Sequence, residues 1–120
     1  MTAPPNVFAD SPWDFEAAIA QVRGRAIAER AGARELGATV YELAPGACGF
    51  FLLADSVSDE LFVVLSGRPT LRTETVEREL EPGDVVASSS GYDGTETLAN
   101  LSAETARVLA VSTPRLSEVA

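Results

Sequence analysis

The chain has 120 residues, 46% of them hydrophobic and 22% charged, a balance that folds around one core and marks a single soluble globular domain. Nine arginines, no lysine and eighteen acids leave a net charge of −9, which disfavours duplex nucleic acid and anionic membrane surfaces as partners. The chain has no histidine, which excludes imidazole-held metal sites and histidine-based triads or general bases.

In chain order, residues 1–10 carry two prolines and read as an arm without a basic and apolar leader pattern. Ser11-Pro12-Trp13-Asp14 has the chemistry of a helix start, with Ser11 as cap, Pro12 at the first helical position and Asp14 in the first turn. The expectation is a short helix over 12–22, interrupted at Gly24, with Trp13 and Phe15 covering apolar sheet. Ala26 to Arg34 is open between a further helical turn and an irregular crossover.

From Ala38 the texture changes to short runs rich in Val, Leu, Phe and Thr, separated by Pro-Gly, Ser-Gly and Gly-Asp pairs. These predict strands at 38–44, 49–54, 60–66, 69–74, 76–80, 84–88, 95–101 and 106–112. Pro45-Gly46 and Pro82-Gly83-Asp84 are turns, because proline fixes φ at one position and glycine permits a positive φ at the next. Lone Cys48 has no partner for an internal disulfide, which fits a reducing cytoplasm. With no histidine to activate it, Cys48 reads as a small packed residue. No apolar run approaches the roughly 20 residues that span a bilayer. The division expected is an arm and short helix over 1–37, a β-barrel over 38–113 and a tail over 114–120.

Leu36-Gly37 through Thr113 resembles a small single-domain cupin, a double-stranded β-helix or jelly roll. Pro45-Gly46 precedes a first motif, and Asp59-Glu60 with six residues and then Gly67 looks like the acidic pair and glycine that close it. Pro82-Gly83-Asp84-Val85-Val86 resembles the opening of a second motif, and Gly91 through Asn100 its end, with the final asparagine. In cupins a His-x-His, a glutamate and one later histidine hold a divalent metal inside the barrel. Here the histidine positions fall on Leu53, Asp55 and Glu96, or on Leu52 and Ala54 if the count starts from Gly46.

Residues two apart on a strand share a face, which groups Phe51, Leu53 and Asp55, then Glu60, Phe62 and Val64, then Glu96, Leu98 and Asn100. The resulting pocket has Phe51, Leu53, Phe62 and Leu98 as walls, with Asp55, Glu60 and Glu96 as acids and Tyr92 at a loop near its mouth. Clustered carboxylates repel one another and lose hydration. Three outcomes follow: neutralisation by Arg68, Arg72 or Arg107; a hard cation such as Mg²⁺, Ca²⁺ or Mn²⁺ on Asp55, Glu60 and Glu96; or Glu60 or Glu96 held neutral as a general acid or base. The expectation is no bound metal or other cofactor.

The same alternation turns Leu61, Val63 and Leu65 outward, an apolar row that calls for cover from the N-terminal segment or a second subunit, so a homodimer is expected. The resemblance implies a barrel that has lost the histidine metal site and binds a small molecule or has no catalytic role. The alternative is a small isomerase, epimerase or lyase working through Glu60 and Glu96.

Overall fold

The computed structural model describes residues 3–47, 50–51, 59–72, 76–88 and 97–113. Ten strands, β1 (Phe15–Ala17), β2 (Val22–Arg25), β3 (Gly37–Leu43), β4 (Phe50–Phe51), β5 (Asp59–Ser66), β6 (Thr70–Arg72), β7 (Glu77–Glu79), β8 (Val85–Ser88), β9 (Thr97–Ala99) and β10 (Ala106–Thr113), and one helix, α1 (Ile27–Ala31), make up the described elements. They form two antiparallel sheets, one in the order β1-β2-β3-β10-β5-β8 and one in the order β4-β9-β6-β7.

Period-two alternation builds the larger sheet. Ala106, Val108, Ala110 and Ser112 of β10 are buried while the residues between them are less so. On β5, Glu60, Phe62 and Val64 are buried and Leu61 is exposed, as the alternation predicts. Ala110 stands between Thr39 and Phe62, and this short side chain leaves room for the ring beside it. The core between the sheets is Leu43, Phe62, Val64, Leu80, Leu98 and Val108, together with Val22 and the small residues Ala47, Ala106 and Ala110.

The turns follow their chemistry. Ala47 N donates to Ala44 O across Pro45-Gly46, and Asp84 N to Glu81 O across Pro82-Gly83. Gly46 and Gly83 have φ of 83° and 94°, the positive angle required at the third position of a type II turn.

The helix expected over 12–22 is not formed. That segment makes a hairpin, β1 and β2, with Phe15 opposite Gly24, and the hairpin extends the sheet beside β3. The polar groups that read as a helix start serve a helix that lies further on. Ala26 N, at the start of α1, donates to Asp14 Oδ2, while Arg30 within it donates to Ser11 Oγ, Pro12 O and Asp14 Oδ1. Tertiary partners override the local signal. Trp13 and Phe15 accordingly do not sit on a helix. Trp13 lies under the guanidinium groups of Arg25 and Arg23, 3.8 and 4.5 Å from its ring centroid. The ring of Phe15 crosses Gly24, where a Cβ would sit 2.2 Å from it, to meet Tyr41 edge-on at 6.0 Å. The open question over 26–34 resolves as α1, ended by Gly32 at φ 92°.

Candidate functional site

The inner face of the larger sheet can be followed row by row from the strand register. Val22, Leu43 and Ala106 form the first row, and Gly24, Tyr41, Val108 and Val64 the second. Thr39, Ala110, Phe62 and Val86 form the third, and Gly37, Ser112, Glu60 and Ser88 the fourth. The face therefore runs from wholly apolar at one end to polar at the other, where Glu60 stands.

Glu60 is 5% exposed, Phe62 3% and Leu98 2%, so these three expected pocket residues are buried as the alternation requires. Leu98 reaches the interior from the facing sheet, where it pairs with Leu71. Phe51 lies on β4 opposite Thr97. Leu53, Asp55, Tyr92 and Glu96 lie outside the described residues, as does Cys48. Asn100, grouped with Glu96 and Leu98 by alternation, is a structural pin. It is wholly buried, and its Nδ2 donates to Leu43 O at 2.9 Å and Glu104 O at 2.7 Å.

The arginines considered as partners for the pocket acids have acids of their own. Arg107 lies on the outer face, where it and Arg23 both hold Glu42, at 3.1 and 2.6 Å. Arg68 pairs with Glu79 and Arg72 with Glu77 at the surface.

Sequence reasoning missed Tyr41. Burial pushes its phenol above the ordinary tyrosine value, the Glu60 charge raises it further, and a hydrogen bond with Thr39 acts the other way. Tyr41, Thr39 and Glu60 thus place a phenol, a hydroxyl and a carboxylate on one inner face, with Tyr41 kept protonated at neutral pH. The signal was present in the alternation of β3, since Thr39, Tyr41 and Leu43 are two apart, but no motif pointed to it.

A histidine-held metal does not fit this chain, because it has no histidine. The oxygen set Asp55, Glu60 and Glu96 would suit Mg²⁺, Ca²⁺ or Mn²⁺, and of it Glu60 is described. Among the described residues no three His, Cys, Asp or Glu side chains converge.

No family model matches the sequence, and no curated protein matches it. Solved structures match the fold. The chain is similar to a sugar phosphate isomerase from the cupin superfamily of Silicibacter pomeroyi, with 23% identity and a TM-score of 0.70 over 88% of this chain and 67% of that one. It is similar to KdgF from Halomonas sp., with 18% identity and a TM-score of 0.70 over 92% of this chain and 94% of that one. A third match is a Cupin 2 conserved barrel domain protein from Salinispora arenicola, with 19% identity and a TM-score of 0.68 over 90% of each chain. The two antiparallel sheets, their buried inner faces and these likenesses define the class: the chain has the cupin fold, an all-β jelly-roll barrel.

Proposed function

We propose that this cupin binds a small organic molecule at the polar end of its barrel, without a histidine-held metal and within a reducing cytoplasm. The observation that carries the reading is the placement of Glu60, a 5% exposed carboxylate, at the end of an inner face that carries Phe62 and Val64 on the same strand and meets Leu98 of the facing sheet. Leu or Val would pack a barrel better, since burying a carboxylate costs free energy that only specific hydrogen bonding offsets. Ionised, Glu60 accepts hydrogen bonds; protonated Tyr41 and the hydroxyl of Thr39 can donate. The set suits a compact ligand that offers a hydroxyl or amine hydrogen to Glu60 and an acceptor oxygen to Tyr41, with apolar carbon against Phe62.

The test is a thermal-shift screen of hydroxylated and amine-bearing metabolites against the wild-type chain and Glu60→Gln. A ligand at 100 times its dissociation constant adds about 2.7 kcal/mol of stability, a rise of several degrees for a domain of this size. The expected result is a stabilising compound whose effect Glu60→Gln removes. A flat response across the set, or equal stabilisation of the variant, overturns the reading.

The pairing of a protonated phenol with a carboxylate also favours a second reading, proton transfer by an isomerase, epimerase or lyase. There Glu60 takes a proton from a carbon or hydroxyl while Tyr41 donates to the oxygen that gains charge. The name of the Silicibacter structure makes sugar phosphate isomerisation the first reaction to assay. Turnover lost in both Glu60→Gln and Tyr41→Phe with the fold intact would support this reading over binding alone.

A further inference from the structure

The end of the barrel opposite Glu60 carries a concavity of about 390 Å³, between the β1–β2 hairpin, β3 and the chain just before β10. That volume lies within the range of roughly 300–1,000 Å³ typical of small-molecule sites. Its polar lining is Glu16, Gln21, Arg23, Glu42 and Thr105; the rest is Val22 and three alanines.

Gln21 marks the place. Its φ of 59° makes it the one non-glycine residue with a positive φ among the described residues. Glycine or asparagine is the usual occupant of that conformation, and another residue there costs about 1–2 kcal/mol. The backbone is fixed on both sides, since Gln21 N donates to Ala18 O and Gln21 O accepts from Ala44 N. Glycine would close the same hairpin without strain. What glutamine adds is an amide, a donor and an acceptor together, in the lining of the concavity.

The acids of the lining, Glu16 and Glu42, are met by Arg23 of the lining and by Arg107 just outside it. Arg23 binds Glu42 at 2.6 Å and lies 3.8 Å from Glu16, and Arg107 holds the second oxygen of Glu42. Counting Arg107, which lies outside the lining, two acids and two guanidinium groups sum to zero, so the local field favours neither an anion nor a cation. The Gln21 amide and the Thr105 hydroxyl remain to address neighbouring hydroxyl groups, which donate and accept in the same way. Val22 and the alanines give a low apolar wall that fits the C–H face of a saturated ring and leaves it room. We infer that this concavity is a binding site for a neutral polyhydroxylated ring of monosaccharide or cyclitol size, separate from the Glu60 end.

The experiment is an NMR titration of the full chain, labelled on backbone amides and on alanine and valine methyls, with myo-inositol, D-glucose and D-glucose 6-phosphate. The expected result is a saturable shift of Ala17, Ala18, Val22, Ala44 and Thr105 signals with a neutral ring at millimolar concentration. Gln21→Gly, which relieves the positive φ, and Thr105→Val should each weaken binding about three- to tenfold, the worth of one hydrogen bond. Glu60→Gln should leave it unchanged, which keeps this site distinct from the one proposed above. No saturable shift, shifts confined to Phe62 and Leu98, tighter binding of the phosphate, or undiminished affinity in both Gln21→Gly and Thr105→Val would each overturn the inference.

Discussion

Asn100 pins the barrel through four hydrogen bonds that meet on one buried side chain. Its Nδ2 serves the carbonyls of Leu43 and Glu104, and its Oδ1 accepts from Ser102 N at 3.1 Å and Ser102 Oγ at 2.6 Å. Its own carbonyl accepts from Gly46 N, which ties the end of β9 to the Pro45-Gly46 turn after β3. Asn100→Ala leaves two carbonyls without this donor, and each buried acceptor so stranded costs about 1–3 kcal/mol, so a loss of about 2–4 kcal/mol is expected in urea unfolding. Asn100→Asp should be at least as damaging at neutral pH, since it turns an anion toward the same two carbonyls. An aspartate variant as stable as wild type would show that the side chain is not the pin described here. Gly24 illustrates the opposite kind of constraint at this scale: it is required for the absence of a side chain, since the ring of Phe15 occupies the space a Cβ needs.

At the scale of elements, what the sequence made legible was whatever depends on near neighbours. Alternation located β3, β5 and β10 to within a residue or two and turned Glu60, Phe62 and Val64 inward, because a buried face imposes its period directly on the chain. The two Pro-Gly turns were legible because their chemistry is local. The β1–β2 hairpin was not, since Ser11, Pro12 and Asp14 carry a helix-start signal that the fold spends on α1, and Arg30 is sixteen or more residues from each of them. The candidate site was half legible for a related reason. Glu60 stands in a motif, whereas Tyr41 joins it on the inner face from another strand, through sheet pairing that no local pattern announces.

The contact between Asp14 and α1 makes that hairpin sensitive to acid. The Ala26 N–H and the Arg30 guanidinium, in that order, hold the Asp14 carboxyl below the usual carboxylate range. A depressed folded-state value means stability that is present above the unfolded value, near pH 4, and lost as pH falls through the folded one. Wild type and Asp14→Asn should therefore differ in melting temperature at pH 7 and converge as the pH falls below the ordinary carboxylate value and through the depressed folded-state one. The Asp14 side chain is 39% exposed, so solvent screens the contact and the difference is small, and curves that stay parallel to the lowest pH would refute the role given to this contact.

At the scale of the whole molecule the outer face of the larger sheet falls into two parts. Toward β2, Trp13, Arg23, Arg25 and Arg107 lie together, with Arg25 buried and donating to Ala9 O and Ser11 O, so the N-terminal arm is strapped over the sheet. Toward β8 no such cover is described. Leu109, Val63 and Val85 stand in one register row and Val111, Leu61 and Ala87 in the next, with Leu61 41% and Val85 56% exposed. We propose that a second copy of the chain covers this part. Two chains of net charge −9 repel, and these two rows hold no ionisable side chain, so they are the part of the sheet that two copies can bring together without opposing charges. Light scattering behind size exclusion should give twice the 12.6 kDa chain mass. Leu61→Glu should halve it, because a two-fold interface meets the new charge twice, while the fold survives because the side chain points away from the core. A monomer at micromolar concentration, or a dimer indifferent to Leu61→Glu, would leave the apolar rows to a different partner and remove the second copy from the account.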